Sequence, residues 1–210
     1  MFVRSLTAVL IAAAAVPAGA ASIVVFNTGV DSAGVATTGN GTDLHWTLAG
    51  GTAYTGGTNG QFPIGPWVAD DAASRWITPT TNAADSNAVA TFSFSTTFSL
   101  TGLNASTASL SGSFAADDSA TIFLNGVQIG AANQGGFSFR TNFAINSGFV
   151  AGVNTLTFAA LNSGAGPTGA NVVVSGTADA VPEPAAWGLM VTGFGLVGLS
   201  ARRRGRTVTA

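Results

Sequence analysis

Few side chains between the two ends of this sequence could act as acid, base, nucleophile or metal ligand. From residue 21 to residue 180 there is one histidine, His45, with no cysteine, no lysine and no glutamate, while Arg75 and Arg140 stand against eight aspartates. His45 lies beside Trp46 on an expected strand, where a structural or exposed imidazole is commoner than a general base. No serine triad can be assembled, and no glycine-rich segment carries a P-loop lysine. The pairs Asp70-Asp71 and Asp117-Asp118 could supply the two carboxylates of a glycoside hydrolase. Adjacent strand residues face opposite sides of a sheet, however, so each pair should offer one carboxylate at most to any site. The expectation is a protein without catalytic residues.

Tryptophan offers another chemistry, a flat face on which a sugar ring can stack. Trp67 follows Pro63-Ile64-Gly65-Pro66 in a Pro/Gly loop and is the best candidate for exposure; Trp46 is the second candidate. Core packing competes, because tryptophan is highly buried on average. Trp76, next to Ile77, reads as core.

The elements that must position these residues are strands. Leu44, Trp46 and Leu48 alternate with His45 and Thr47, and Phe92, Phe94 and Phe98 sit among Ser and Thr. Ser22 to Asn27 reads as a first strand, and the Gly/Thr/Asn-rich stretch from there to about Gly65 reads as turns around one short strand. Ala108 to Ala116, Phe137 to Ala144, Asn154 to Asn162 and Val172 to Ser175 are further strands. The strongest local signal is Asn125-Gly126, flanked by Ile122 and Leu124 on one side and Val127 and Ile129 on the other. That is a hairpin whose turn needs φ above zero at both central residues. Eight to ten short strands and no amphipathic helix imply an all-β domain, a jelly-roll or Greek-key β-sandwich, over residues 21–180. Without cysteine it must hold together through its hydrophobic core. Its acidic balance argues against nucleic acid, whose phosphates demand cations.

Both ends read as targeting. Arg4, the apolar stretch Leu6 to Val16 and Ala18-Gly19-Ala20 form a secretory signal peptide over residues 1–20, with cleavage expected after Ala20 or Ala21. At the other end Val181-Pro182-Glu183-Pro184 precedes an uncharged run from Ala185 to Ala201, followed by Arg202, Arg203, Arg204 and Arg206. A helix of about 17 residues reaches roughly 26 Å, a marginal transmembrane span. Trp187 sits where an interfacial aromatic belongs, and the arginines would stay cytoplasmic. Pro182 and Pro184 should keep the box extended.

That tail, residues 181–206, resembles the PEP-CTERM protein-sorting signal of Gram-negative bacteria. The resemblance implies recognition of Pro182, Glu183 and Pro184 by an exosortase-type processing enzyme and transient anchoring in the inner membrane. It also implies release to the envelope surface or extracellular matrix, and company with exopolysaccharide. The body from about Asn87 to Ala178, with its LNG hairpin at Leu124-Asn125-Gly126 and Gly152-Val153-Asn154-Thr155-Leu156, resembles galactose-binding-like jelly rolls. Such domains often carry one structural Ca²⁺, for which Asp117 and Asp118 are the candidate ligands, with Asp31 as another; no other cofactor is expected. Association with polysaccharide is the function these resemblances imply, and a structural or adhesive role toward other proteins is the alternative.

Overall fold

The computed structural model describes residues 19–55, 65–181 and 184–204. Within them run the strands β1 (Ala20–Ser22), β2 (Gly41–Leu48), β3 (Gly51–Thr55), β4 (Ile77–Thr78), β5 (Ala90–Ser99), β6 (Ser109–Asp117), β7 (Ser119–Leu124), β8 (Val127–Gln134), β9 (Thr141–Ile145), β10 (Val153–Asn162) and β11 (Gly169–Asp179), then one helix, α1 (Pro184–Arg204). The body is all-β. Its ladders follow the order β8-β7-β10-β5-β2-β3-β4-β11-β6-β9, with β1 added beside β11. Every pairing is antiparallel, and the longest ones are non-local. β5 pairs with β10 from Ser99↔Val153 to Ala90↔Asn162, and β6 pairs with β11 from Asp117↔Gly169 to Ser109↔Thr177.

This ladder folds over on itself, as the core contacts show. Phe158 of β10 meets Phe114 of β6 with ring centroids 5.1 Å apart and Phe143 of β9 at 5.4 Å. Strands from opposite stretches of the ladder therefore enclose one core, consistent with a β-sandwich. Alternation supplies that core: Phe94 and Phe98 of β5, and Leu156 and Phe158 of β10, point inward and are buried. Each such side chain is worth roughly 1.5–3 kcal/mol relative to exposure, and no disulfide supplements it.

The Asn-Gly hairpin is present as expected. Asn125 (φ 52°) and Gly126 (φ 80°) both have positive φ between β7 and β8. Other expectations need correction. The first strand ends at Ser22; Ile23 to Asn27 runs on beside β11 through single bonds, Ile23 N–H to Gly176 O (2.9 Å) and Val174 N–H to Asn27 Oδ1 (2.8 Å). The Gly/Thr-rich stretch holds β3 as well as β2, because Gly51 to Thr55 pairs with both β2 and β4. Only Thr141 to Ile145 of the phenylalanine-rich run is strand, and Phe139 is exposed.

In the tail, Pro184 is the first helical residue rather than part of an extended box. Its fixed φ suits that position, where the missing N–H costs nothing. Val191, Phe194, Leu196, Val197 and Leu199 of α1 are all exposed. Among the described residues no helix is long and apolar enough to cross a membrane, so the expected span is not supported here. Residues 1–18, Pro182, Glu183 and Arg206 lie outside the described residues, and with them most of the signal peptide and the box.

Candidate functional site

Asp43 is the residue that shapes the surface beside β2. Its buried carboxylate accepts backbone N–H bonds from Gly29 (2.6 Å), His45 (2.9 Å) and Trp46 (2.7 Å), inside the stretch Thr42 to Thr47 where the β2–β3 register shifts. Burial pushes this carboxyl above its ordinary range, although the three donors pull the other way. On its other side, β2 pairs with β5 only briefly. The two strands pair only at Thr47↔Ser95 and Leu48↔Phe94, and beyond that point a gap opens next to Thr96 to Ser99.

A groove of about 510 Å³ lies in this fork. Val24 and Phe26 line it from the segment after β1, Leu44 and His45 from β2, Thr97 and Ser99 from β5, and Val153 from β10. His45 is fixed on two sides: its ring stacks on Phe26 at 3.7 Å and 6°, and Nε2 lies 3.0 Å from the Asp31 carbonyl. Phe26 is held in turn by its own carbonyl, which accepts from Trp46 Nε1 at 3.0 Å. Val24, Leu44 and Val153 are 72%, 65% and 67% exposed, so the groove presents an apolar lip.

Polar groups converge there as well. Alternate residues of an antiparallel strand offer N–H and C=O to the same side. Ser93 O accepts the Ala49 N–H on the β2 side, so Thr97 and Ser99 also turn their backbone groups that way, where β2 gives them no ladder partner. Outward hydroxyls continue the polar row along β5, at Ser93, Ser95, Thr97 and Ser99, and onto Thr155 and Thr157 of β10. Ser95 Oγ and Thr157 Oγ1 are 2.8 Å apart. A groove with an apolar lip, backbone donors and acceptors, and hydroxyls can hold a ligand that is itself part apolar and part hydroxylated.

The expected binding tryptophans are not there. Trp46 is 1% exposed and Trp67 6%, so neither offers a face to a ligand. Trp46 packs against Phe158 in the main core, with centroids 6.0 Å apart. Trp67 packs on Trp76 (4.1 Å) in a second cluster with Ala83 and Ala115. The Pro/Gly loop carries its tryptophan inward because Nε1 finds a buried acceptor, donating to Asp117 Oδ2 at 2.6 Å.

The candidate Ca²⁺ ligands are likewise engaged. Burial, followed by the neighbouring Asp118 carboxyl, pushes Asp117 up to about 7, and Trp67 opposes this by donating. Asp118 accepts from Ser163 Oγ (2.6 Å) and N–H (2.8 Å) and is held below the ordinary value of 3.8. Asp117 ends β6, so strand alternation does not reach past it to Asp118. No group of three or more His, Cys, Asp or Glu that could hold a metal occurs among the described residues.

Asp70 and Asp71 serve the two arginines. Arg75 Nε bonds Asp70 at 3.2 Å, and its NH1 donates to the carbonyls of Thr37 (2.9 Å) and Gly39 (2.7 Å). Arg140 NH2 reaches Asp71 (3.3 Å), Ser74 Oγ (2.9 Å) and Asn171 Oδ1 (3.1 Å). Nothing in the sequence flagged this network. The groove was equally hidden, since valine, leucine and threonine carry no signature of binding.

In comparisons with known proteins, residues 180–204 match the PEP-CTERM protein-sorting motif. No curated protein matches the sequence. Among solved structures, the CBM35 from Paenibacillus barcinonensis is similar at 18% identity and a TM-score of 0.35, over 66% of this chain and 97% of that one. Residues 180–204 thus carry a PEP-CTERM sorting motif, of which Trp187, Arg202, Arg203 and Arg204 all fall within α1.

Proposed function

We propose that this is an exported, non-catalytic surface or matrix protein, sorted through its PEP-CTERM tail, whose β-sandwich holds polysaccharide in the groove between β2 and β5. The tail's part is to deliver the precursor. Its apolar helix engages the inner membrane, the arginines remain cytoplasmic, and an exosortase-type enzyme acts near Pro182, Glu183 and Pro184. The exposed apolar side chains of α1 support that role, since such a surface is unstable in water. Replacing Pro182, Glu183 and Pro184 together with alanine should leave uncut precursor in the membrane fraction of the native host, where the unaltered chain is shortened. Equal shortening of both would refute the sorting step.

The observation that carries the binding role is the groove itself, where free backbone groups, a hydroxyl row and an apolar lip meet. Sugars present both C–H faces and hydroxyls, and this surface answers both. We read the body as a jelly roll of the galactose-binding-like kind, and as non-catalytic. The full chain in mild detergent should be retarded in native gels containing the host's matrix polysaccharide. Migration unchanged by polysaccharide would refute this.

A second reading has one observation in its favour. Free ladder positions at Thr97 and Ser99 could also accept an extended protein segment, as in strand addition. The free stretch is only Thr96 to Ser99, shorter than an ordinary strand of about 5–6 residues, which favours the glycan.

A further inference from the structure

Charge placement narrows the ligand. Resting on the polysaccharide reading, we infer that the groove between β2 and β5 selects an uncharged polysaccharide and rejects one built on uronate, sulfate or pyruvate groups. Recognition of a sugar carboxylate or sulfate calls for a cation, best a forked guanidinium, because an anion taken from water without a partner is heavily penalised. The body has only two arginines. Arg75 is committed to Asp70 and to the carbonyls of Thr37 and Gly39, and Arg140 is held through NH2 by Asp71, Ser74 and Asn171, with its NH1 buried and unpartnered beside them. Neither lines the groove.

The ionisable groups close to the groove deepen the effect. His45 is its one titratable lining residue, with Nε2 already directed at the Asp31 carbonyl and one ring face covered by Phe26. The nearest carboxylates in sequence and contact are Asp43, adjacent to Leu44, and Asp31, whose side chain accepts the N–H groups of Ala33 (2.9 Å) and Val35 (3.0 Å). Neither offers an acidic sugar a cation. With eight aspartates against two arginines, the whole body leans acidic.

What remains suits a neutral chain. Val24, Leu44 and Val153 can cover the C–H face of a ring, while the Thr97 and Thr101 hydroxyls and the backbone of Thr97 and Ser99 exchange hydrogen bonds with its hydroxyls; Ser99 Oγ itself donates to Thr101 Oγ1 (2.9 Å) and accepts the Thr101 N–H (3.1 Å). Strand geometry repeats the outward hydroxyls about every 6.8 Å along β5 and about 4.8 Å across to β10. An extended glycan lying along β5 would meet polar partners at each step.

The test uses the full chain carrying R202Q, R203Q, R204Q and R206Q together, so that the tail cannot supply an anion site. Its retardation is measured in native gels containing dextran, laminarin or galactomannan on one side, and alginate, hyaluronan or xanthan on the other, at low and high salt. Low salt is the condition most permissive for charge-driven binding. At least one neutral polymer should bind about tenfold more strongly than every anionic one, with little change on adding salt. L44S with V153S should remove that retention while the melting temperature holds. Retention by anionic polymers alone would overturn neutral selectivity yet leave the polysaccharide reading standing. No retention by either class would overturn both, and neutral retention unchanged in the double variant would overturn the groove as its site.

Discussion

Two regions of this molecule exchange the roles that their residue types suggest. At one, Trp67, Trp76, Asp117, Asp70 and Arg75 bring together indoles, carboxyls and a guanidinium, the usual material of binding sites, and use them on one another. At the other, Val24, Leu44, Thr97, Ser99 and Val153 form an open groove from residues with no chemical reputation. The difference lies in satisfaction. Trp67 Nε1 and the Asp117 carboxyl complete each other at 2.6 Å, whereas Thr97 and Ser99 keep backbone groups turned toward a strand that has moved away. Polar groups already paired inside the protein have little left for a ligand, and unpaired ones at the surface retain it.

Removing an indole from the first region should have the largest effect. W67A deletes a side chain only 6% exposed and leaves Asp117 Oδ2 without its donor, so a loss of about 3–5 kcal/mol is expected in denaturant unfolding. Polysaccharide retention, measured well below the midpoint, should match that of the unaltered chain. Lost retention in a folded W67A protein would dissolve the division between the two regions.

Asp117 offers a subtler probe through pH. Its folded pKa is raised from 3.8 to about 7, chiefly by burial, so the native state holds a proton that the unfolded chain gives up. The associated stability is full below about pH 4 and is lost as pH rises through about 7. At most this is roughly 4 kcal/mol, taking about 1.4 kcal/mol per pKa unit. Asp118, shifted downward, acts in the opposite sense: its stability is present above its ordinary 3.8 and fades as pH falls through its lower folded value. D117N mimics the protonated acid and keeps an acceptor for Trp67. It should flatten the decline in stability between pH 4 and 8, while Asp43 and Asp70, also raised, remain in both proteins and cancel. Identical pH profiles would mean that Asp117 ionises as an ordinary surface aspartate does.

Asp43 joins fold to groove, and D43A should cost about 2–3 kcal/mol by stranding the N–H groups of Gly29, His45 and Trp46. Because those donors hold β2 in its irregular course, polysaccharide retention should fall as well, unlike in W67A. A D43A protein with unchanged retention would show that the groove does not depend on this anchor.

Sequence patterns located what depends on local rules. The Asn125-Gly126 turn, the alternation in β5 and β10 and the terminal sorting motif were all legible, because period two, positive φ and a proline-flanked glutamate each act over a few residues. Trp67 misled because a Pro/Gly loop predicts exposure, while its burial depends on Asp117, fifty positions away. The fork between β2 and β5 was invisible for a similar reason. It arises where Asp43 gathers three amides, one of them from Gly29, and no pattern around Leu44 announces that its neighbouring strand will depart.

The smallest stability effect belongs to the residue most exposed to a ligand's hydrophobic face on β2. Leu44 is 65% exposed, so L44S should change unfolding free energy by no more than about 0.5 kcal/mol. Its side chain projects beside Val24 and Val153, and only something that covers the groove would give it a buried surface to lose. Retention on a neutral polysaccharide should therefore weaken by roughly three- to tenfold, the equivalent of burying one apolar contact. A substitution nearly silent for folding and costly for binding is what separates a groove built for a ligand from a gap left by an irregular strand. Equal retention by L44S and the unaltered chain would make the fork a by-product of the Asp43 anchor, and would move the search for a ligand to another face of the sandwich.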